Sequence, residues 1–453
     1  MEKLPTRWRP SIARVLLHVA CLFWSQVAGA QSAGIREVSR LGRPDIPGTN
    51  YSDAAVAIDG GRALLCPSLR FGGSGSCLVF QRPAGAIGGW YFVTEIVSPQ
   101  PNAWDEFGSA ADLVGDTAIA GLPGGDAAGF NAGAASIHHR QAGGTDNWGF
   151  ERNLYASDPA PEHVFSRAVA FSGDTLVVGA PTINLADFGV GSAYVFERDA
   201  GGPDNWGLVK RLSASDAPLF GNFGFSVAIL GERIAIGAPG VDSDTGAAYL
   251  FERNFGGASN WGEVARVVAS DGIAADRFGS SVALAPGVLA VGAPRRDEAG
   301  LNTGAVYLFG TTSWVEQQKF IGTEQDGLGT ALAFGDGLLA AGAPGNLGPL
   351  LLPGAVALFS RSVSNSGWSL AARLHAPGVI EFDGFGSSVD MDGGELIVGA
   401  PIQGSAYVFV FGSSVVEVPA LAPLGLGILG ILLAVLGVLL VRRRCSELSR
   451  HGS

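Results

Sequence analysis

The side chains best suited to chemistry in this chain are its histidines. Four of the six lie between the two ends of the chain: His138, His139, His163 and His375. Adjacent residues of a strand point to opposite faces, so His138 and His139 are poorly placed to chelate one metal, and we interpret His138 as a half-buried structural residue. The sequence contains no Gly-x-Ser-x-Gly elbow, His-Glu-x-x-His pair or phosphate-binding glycine loop. We therefore predict no catalytic residue, no metal ligand and no cofactor.

Recurrent aspartates lead to the same conclusion. Asp158, Asp216 and Asp271 each follow a serine in the segment between one repeated unit and the next. We interpret them as turn formers whose carboxylates accept backbone amides. Catalytic carboxylates are expected at unique positions, so we predict a non-enzymatic protein.

A repeated segment positions these side chains. Its clearest element is a Gly-Ala-Pro box, which recurs at intervals of 50–58 residues. The glycine of the box is Gly121, Gly179, Gly237, Gly292, Gly342 or Gly399, and a degenerate copy occupies residues 64–67. A Phe-Gly pair precedes the box in four copies, at Phe107, Phe223, Phe278 and Phe385. It is weakened to Phe165-Ser166 and Leu328-Gly329, and it is lost at Tyr51-Ser52.

Each copy has the pattern of four antiparallel strands. In residues 278–285 bulky and small side chains alternate, and residues 289–293 form the apolar run of a strand covered on both faces. Sheets with two apolar faces must stack on neighbours, and radial stacking gives a β-propeller. We predict an all-β, seven-bladed β-propeller over residues 31–417, with the first strand of each blade innermost.

The seventh copy lacks a fourth segment, and the segment at 34–41 matches the fourth segment at 262–267. A strand at 35–41 is therefore expected to close the ring. The blades are expected near residues 50–99, 100–157, 158–215, 216–271, 272–323, 324–377 and 378–411.

The order Phe-Gly, Gly-Ala-Pro resembles the FG-GAP repeat of integrin α-subunit propellers. The phrases Ser213-Ala214-Ser215-Asp216 and Gly-Ser-Ala-Tyr-Val-Phe-Glu-Arg at 191–198 are similar to the bacterial FG-GAP variety. The resemblance implies that the loops after the box and the links between blades share one face, which binds partners in the integrin family. The family's calcium loop is not carried over, because the turn before the box has two or three residues with at most one or two carboxylates, such as Asp174 or Asp336. Calcium in proteins is coordinated by six to eight oxygen ligands. The nearest substitute, residues 242–246, reads as a polar turn.

Both ends of the chain predict export. Residues 1–30 combine a basic start, an apolar run and the small residues Ala28 and Ala30, as in a signal peptide with its cleavage site. An N-terminal membrane anchor is the alternative. Residues 421–441 carry no charge over 21 positions, enough to span a bilayer as a transmembrane helix. Arg442, Arg443 and Arg444 follow and should stay cytoplasmic, with the propeller outside.

The tail resembles IPTL-type C-terminal sorting signals of Gram-negative bacteria, relatives of the signals read by exosortases. The motif residues are Val418, Pro419, Ala420 and Leu421, ahead of the apolar segment and the Arg cluster. Leu424 stands where that family has Trp. The resemblance implies a sorting protease that cuts near residues 418–421, and the alternative is a permanent single-pass anchor. Residues 445–453 are the predicted cytoplasmic tail.

The net charge limits the possible partners, and two cysteines indicate a disulfide. Without residues 1–30 and 442–453 the chain has 21 basic and 39 acidic residues, a net charge of −18. Such a surface repels nucleic acid. Cys66 and Cys77 fall on neighbouring strands of the first blade, where an oxidising compartment favours a disulfide, and two buried thiols are the alternative.

The loops after the boxes differ most between copies. The least ordinary residues there are Arg295, Arg296, Leu350, Leu351 and Leu352, our candidate partner-binding residues; the leucines also fit a packed loop. The function we predict is an exported binding or adhesion module for an extracellular glycan or protein ligand. An exported glycan hydrolase and a purely structural envelope protein are the alternatives.

Overall fold

The computed structural model describes residues 34–42, 54–182, 189–216, 218–345, 352–362, 367–377 and 383–411. Within them, seven four-stranded antiparallel sheets form the blades of one β-propeller, so the predicted all-β, seven-bladed fold is confirmed. The first strands of successive blades contact one another around the whole ring, which makes them the innermost strands, as predicted.

The inner half of each blade consists of its first and second strands. The first strands, from blade 1 to blade 7, are β2 (Ala54–Asp59), β6 (Ala111–Val114), β10 (Ala168–Ser172), β14 (Ser226–Leu230), β18 (Ser281–Ala285), β22 (Leu332–Gly335) and β26 (Val389–Asp392). The second strands are β3 (Arg62–Pro67), β7 (Thr117–Leu122), β11 (Thr175–Ala180), β15 (Arg233–Ala238), β19 (Val288–Ala293), β23 (Leu338–Ala343) and β27 (Glu395–Ala400).

The outer half of each blade completes the sheet. The third strands are β4 (Cys77–Gln81), β8 (Ala134–His139), β12 (Ser192–Glu197), β16 (Ala247–Arg253), β20 (Ala305–Gly310), β24 (Ala355–Arg361) and β28 (Ser405–Phe411). The fourth strands are β5 (Tyr91–Ile96), β9 (Gly149–Leu154), β13 (Gly207–Leu212), β17 (Trp261–Val267), β21 (Glu316–Ile321), β25 (Trp368–Leu374) and, for blade 7, β1 (Ile35–Leu41). Single helical turns occur at Arg70–Gly73, Val241–Asp244 and Pro401–Gln403.

The N-terminal strand β1 closes the ring. It pairs antiparallel with β28, from Ile35 opposite Phe411 to Leu41 opposite Ala406. Ile35 packs in the core between blades 6 and 7, and Leu41 packs in the core between blades 7 and 1. The two ends of the propeller are therefore fastened together by hydrogen bonds and by apolar packing, as the matching fourth segment predicted.

The core lies between the blades. The described residues contain seven apolar clusters, and each cluster joins two neighbouring blades. Every blade buries both faces, which explains why the second and third strands are almost continuously apolar.

The Phe-Gly and Gly-Ala-Pro elements interlock adjacent blades. The amide of Gly279 donates to Gly292 of its own blade at 3.0 Å. Its carbonyl oxygen lies only 1.9 Å from the position that a Cβ on Gly237, in the preceding blade, would occupy. Phe278 is fully buried, and its backbone bridges to Gly246, which precedes the third strand of the preceding blade. The repeat consensus is therefore a packing requirement at the blade interface.

Candidate functional site

The candidate site is a cavity at the loop face, the face that carries the links between blades and the loops between second and third strands. We call this cavity the channel mouth. It has a volume of 510 Å³ and is lined by the starts of the first strands of all seven blades. Its lining includes three arginines, Arg167, Arg277 and Arg295, but no Asp, Glu or His among the described residues.

One repeat position, two residues after the Phe of the Phe-Gly pair, faces the mouth from each of blades 2 to 7. Its occupants are Ser109, Arg167, Phe225, Ser280, Thr330 and Ser387. Three of the hydroxyl groups donate to the carbonyl three residues earlier, at 2.7–2.8 Å. This is a local turn bond that Ser and Thr supply. Arg167 and Phe225 give it up, and each places a large side chain in the mouth instead.

A second repeat position projects from the links between blades. It is the residue just before the Phe, it adopts positive φ, and its occupants in blades 2 to 7 are Glu106, Val164, Asn222, Arg277, Gly327 and Gly384. Positive φ is unusual for a β-branched residue such as Val164. Because the conformation recurs, it belongs to the fold, while the side chain that it presents changes from blade to blade.

A smaller cavity of 280 Å³, the side pocket, lies beside the mouth over blades 2 to 5. It shares Arg167, Phe225 and Arg277 with the mouth and adds Glu106 and Asp244. The Arg167 guanidinium lies 5.1 Å from the centre of the Phe225 ring, within cation–π range. The Arg277 and Asp244 side chains are 4.0 Å apart, at the limit of an ion pair. The site therefore combines cationic groups, an aromatic ring and hydroxyl groups in a concave setting.

The two predicted loop arginines have different environments. Arg295 is exposed and lines the mouth. Arg296, in contrast, is only 7% exposed. Its guanidinium pairs with Asp276 at 2.7 Å and Asp271 at 3.1 Å, so it holds its loop to the link between blades and is not displayed for a partner.

Of the other residues predicted to bind partners or to direct sorting, the structure describes only Leu352. Leu352 is half-buried and its amide bonds to Gly345. Leu350, Leu351, Ala28, Ala30, the sorting residues Val418–Leu421 and the Arg442–Arg444 cluster lie outside the described residues, as does the apolar segment 421–441. None of the helices that the structure describes is long and apolar enough to cross a membrane.

Cys66 and Cys77 form a disulfide between the ends of β3 and β4. The bond packs against Gly108 of blade 2. It lies in the one blade that lacks both the Phe-Gly pair and the Gly-Ala-Pro box.

The three recurrent aspartates bind side chains of the blade that follows them in the chain. Asp158, Asp216 and Asp271 each accept a hydrogen bond from the tyrosine of the following third strand, at 2.7–3.0 Å. A basic residue of the fourth strand pairs with each carboxylate. Our prediction that their partners are backbone amides is therefore corrected: the partners are a tyrosine hydroxyl and an arginine or lysine.

His138 is a packing residue. It is 2% exposed and contacts Phe107 edge to face. Its Nδ1 lies 3.3 Å from the Trp148 carbonyl and its Nε2 lies 3.0 Å from the Ser136 hydroxyl. Because a carbonyl only accepts, Nδ1 carries the proton. Burial lowers the pKa of His138 to about 4. The imidazole is therefore neutral at physiological pH. The structural role fits our interpretation, but the side chain is fully buried and not half-buried as predicted.

Further inside the ring, two first strands carry an aspartate where the other five carry alanine. Asp112 accepts the Phe171 amide of the next blade at 2.6 Å, and Asp390 accepts the Ile58 amide at 2.8 Å. Burial raises the pKa of Asp112 to about 6, and burial together with the charge of Asp112 raises that of Asp390 to about 8. These carboxyl groups join blades and stand apart from the mouth lining.

No group of three or more His, Cys, Asp or Glu residues in the described ranges could hold a metal ion. The acidic loop at 242–246 uses its carboxylates otherwise, since Asp242 pairs with Arg266 at 2.9 Å.

Sequence reasoning found Arg295 but missed Arg167, Phe225 and Arg277. The signal was present in the alignment of the copies. Arg167 and Phe225 stand in a column of Ser and Thr, and Arg277 stands in a column whose residue differs in nearly every blade.

Comparison with known families agrees with this geometry. A model described as the FG-GAP repeat matches residues 148–196, 206–251, 261–309 and 368–409. A search of curated proteins found no significant match. Each matched segment runs from the fourth strand of one blade, through the Phe-Gly pair (Phe165-Ser166 in the first match) and the Gly-Ala-Pro box, to the third strand of the next. The structure shows the same four-stranded unit in blades 1, 2 and 6, whose first three strands lie outside these matches. The chain thus carries FG-GAP repeats, and it closes seven blades of this type into one β-propeller.

Proposed function

We propose that this protein is a non-enzymatic recognition module that binds its ligand at the channel mouth. The observation that carries the proposal is the departure of Arg167 and Phe225 from the hydroxyl column of the repeat. Neither residue can make the local hydrogen bond of the repeat. Arg167 forms no ion pair that the structure describes, and its guanidinium contacts the Phe225 ring instead. Such a break with the local rule is typical of functional positions.

The site has the form of a binding pocket. A cavity of 510 Å³ falls in the size range of ligand sites. The scaffold beneath it is rigid, because links and loops of adjacent blades are hydrogen-bonded to each other, as between Glu162 and Phe130 at 2.8 Å and between Arg277 and Asp244 at 2.8 Å. In proteins of this kind, a rigid scaffold positions the loops, and the side chains that vary between the loops determine which ligand is bound.

The cellular setting in this proposal comes from the sequence. The signal-like segment at 1–30 and the apolar segment at 421–441 support export with the propeller outside, followed by sorting or anchoring at a bacterial envelope. The net charge of −18 for the chain between these ends supports a soluble surface with no affinity for nucleic acid.

A binding screen tests the proposal, with a control variant that carries the usual residue of the repeat at two positions of the mouth. Purified full-length protein is screened against envelope glycans and proteins, with calcium and with chelator. The double variant Arg167→Ser/Phe225→Ser restores the repeat's own residue at both positions and is expected to fold at least as stably. Saturable binding that this variant loses supports recognition at the mouth. Binding that it keeps in full places the site elsewhere and refutes the proposal.

The same screen addresses the hydrolase alternative. Glu106 and Asp244 are the carboxylates of the side pocket, and glycoside hydrolysis needs a pair of carboxylates. Glycan cleavage that disappears in Glu106→Gln or Asp244→Asn would replace the non-enzymatic proposal with an enzymatic one.

A further inference from the structure

We infer that the ligand is a protein partner that inserts an acidic side chain into the channel mouth and rests an apolar surface on the surrounding rim. This inference rests on the proposed function and names the class of partner. It combines the charge of the mouth with the exposed side chains around it.

The charge of the mouth is opposite to that of the rest of the chain. Three arginines and no acidic residue are found in its described lining, and of the three only Arg277 approaches a carboxylate that the structure describes, Asp244 of the side pocket at 4.0 Å. The chain between the predicted signal and tail, in contrast, carries a net charge of −18. Arg295 is exposed, and Arg167 contacts an aromatic ring in place of a carboxylate. Guanidinium groups bind carboxylates with two parallel hydrogen bonds, so a carboxylate is the group that this lining fits.

The loop face that carries the mouth also exposes large apolar side chains. Large side chains are exposed on the links between blades, namely Trp104 (67%), Leu219 (60%), Ile273 (54%) and Phe220 (50%). Others are exposed on the loops after second strands, namely Phe130 (62%) and Leu301 (45%). We call these six residues the rim. Tryptophan, phenylalanine and arginine are the residue types enriched at the centres of protein interfaces.

Two features favour a protein over an acidic polysaccharide. The overall negative charge repels an extended polyanion, while it attracts a neutral or basic partner that carries one acidic tip. The rim also includes aliphatic side chains, Leu219, Ile273 and Leu301, which pack against the apolar side chains of a protein and offer nothing to a sugar hydroxyl.

The rim is preorganised for docking. Its loops are held by backbone hydrogen bonds between blades, including Gln325 to Leu301 at 2.8 Å and Asn222 to Gly189 at 2.9 Å. A partner would therefore meet a fixed surface, so little ordering entropy opposes association.

Peptide selection tests the inference on the full-length protein. A displayed library of random linear peptides is panned on the protein, and enriched peptides are synthesised. We expect each enriched peptide to carry Asp or Glu beside aromatic or aliphatic residues. Replacing that acid by its amide should weaken binding about tenfold or more, the usual effect of losing a charge-assisted hydrogen bond.

Variants of the mouth give the decisive contrast. Arg167→Ser and Arg295→Gln should each weaken binding of the acidic peptide about tenfold. Glu106→Gln should tighten binding, because it removes a nearby negative charge, and a purely structural role would not produce that gain. Arg152→Gln, on the outer strand β9 and outside the mouth lining, is the charge-matched control and should leave binding unchanged.

Three outcomes would overturn the inference. Enriched peptides without an acid, whose binding Arg167→Ser still abolishes, would leave the proposed function standing and refute the acidic partner. Oligogalacturonate that binds at the mouth while no peptide is enriched would assign the site to an acidic polysaccharide. Absence of binding by both probes would also count against the inference.

Discussion

Gly237 is the position where one added carbon tests the packing between blades most sharply. A Cβ at this position would lie 1.9 Å from the carbonyl oxygen of Gly279 in the next blade, and 2.3 Å from the Ser226 hydroxyl. The hydroxyl can rotate away, although its 2.9 Å hydrogen bond to the same carbonyl would be lost. The carbonyl belongs to the backbone and moves only with its blade.

The chain supplies a matched control at Gly399, the same repeat position in blade 7. There the next blade is farther away, because blade 1 lacks the Phe-Gly pair. A Cβ on Gly399 would lie 3.3 Å from the Ala54 carbonyl and again 2.3 Å from a serine hydroxyl. The local hydroxyl contact is therefore common to both sites, and only the contact with the next blade differs.

The expected costs follow from this difference. Gly237→Ala should lower the free energy of unfolding by about 2–4 kcal/mol, from overpacking of the interface plus one lost hydrogen bond. Gly399→Ala would lose the equivalent hydrogen bond, from the Ser388 hydroxyl to Ala54 at 2.6 Å. It should nevertheless cost only about 1 kcal/mol, since alanine is favoured over glycine in a strand and the neighbour needs to shift only slightly. Urea unfolding followed by tryptophan fluorescence, with wild type and both variants side by side, measures the difference.

Equal midpoints for the two variants would refute the reasoning. They would mean that the Gly-Ala-Pro glycine is required within its own blade and not by the blade that follows it.

Three further predictions concern buried groups and the disulfide. Because of His138, the wild-type protein should lose about 3 kcal/mol of stability between pH 6.5 and 4. His138→Phe, which installs the residue found at this position in other blades, should abolish that loss. Burial lowers the pKa of His138 from 6.5 to about 4, so between these pH values the unfolded chain binds a proton that the folded protein does not, and stability falls as pH falls; an unchanged pH profile of unfolding would contradict this. Asp390→Asn should stabilise the protein relative to wild type increasingly as pH rises from 4 to 8, because the raised pKa of Asp390 makes its ionisation unfavourable in the fold; a stability difference independent of pH would count against it. Cys66→Ala/Cys77→Ala should cost about 2–3 kcal/mol, from the entropy of a short closed loop, and intact mass with and without reductant checks that the bond forms in the purified protein.

Much of the fold could be predicted from the sequence because each copy of the repeat shows the same pattern of packing residues. The period of the Gly-Ala-Pro box fixed the blade number, and the alternation in residues 278–285 placed the first strand inside. The segment at 34–41 matched a fourth strand closely enough to predict ring closure. Repetition makes such inference strong, since a pattern that recurs must satisfy the same neighbours each time.

The candidate site was harder to predict because it depends on which loops meet in space. Arg295 and Arg296 are adjacent in sequence, yet one lines the mouth and the other is buried against Asp276. The role of Arg296 depends on a carboxylate 20 residues away, which spacing alone does not reveal. The same holds for Arg167 and Arg277, which lie in different blades and come together only at the axis of the ring.

The measurement that tests the central claim most directly compares one ligand on two proteins. The strongest ligand from the binding screen is titrated into wild type and into Arg167→Ser/Phe225→Ser, with the urea midpoint of each protein measured alongside. Recognition at the mouth predicts that the variant unfolds at the same or a higher midpoint, because it regains two local hydrogen bonds, while its affinity falls at least about tenfold. Unchanged affinity in a fully folded variant would contradict the account and direct attention to another surface of the propeller.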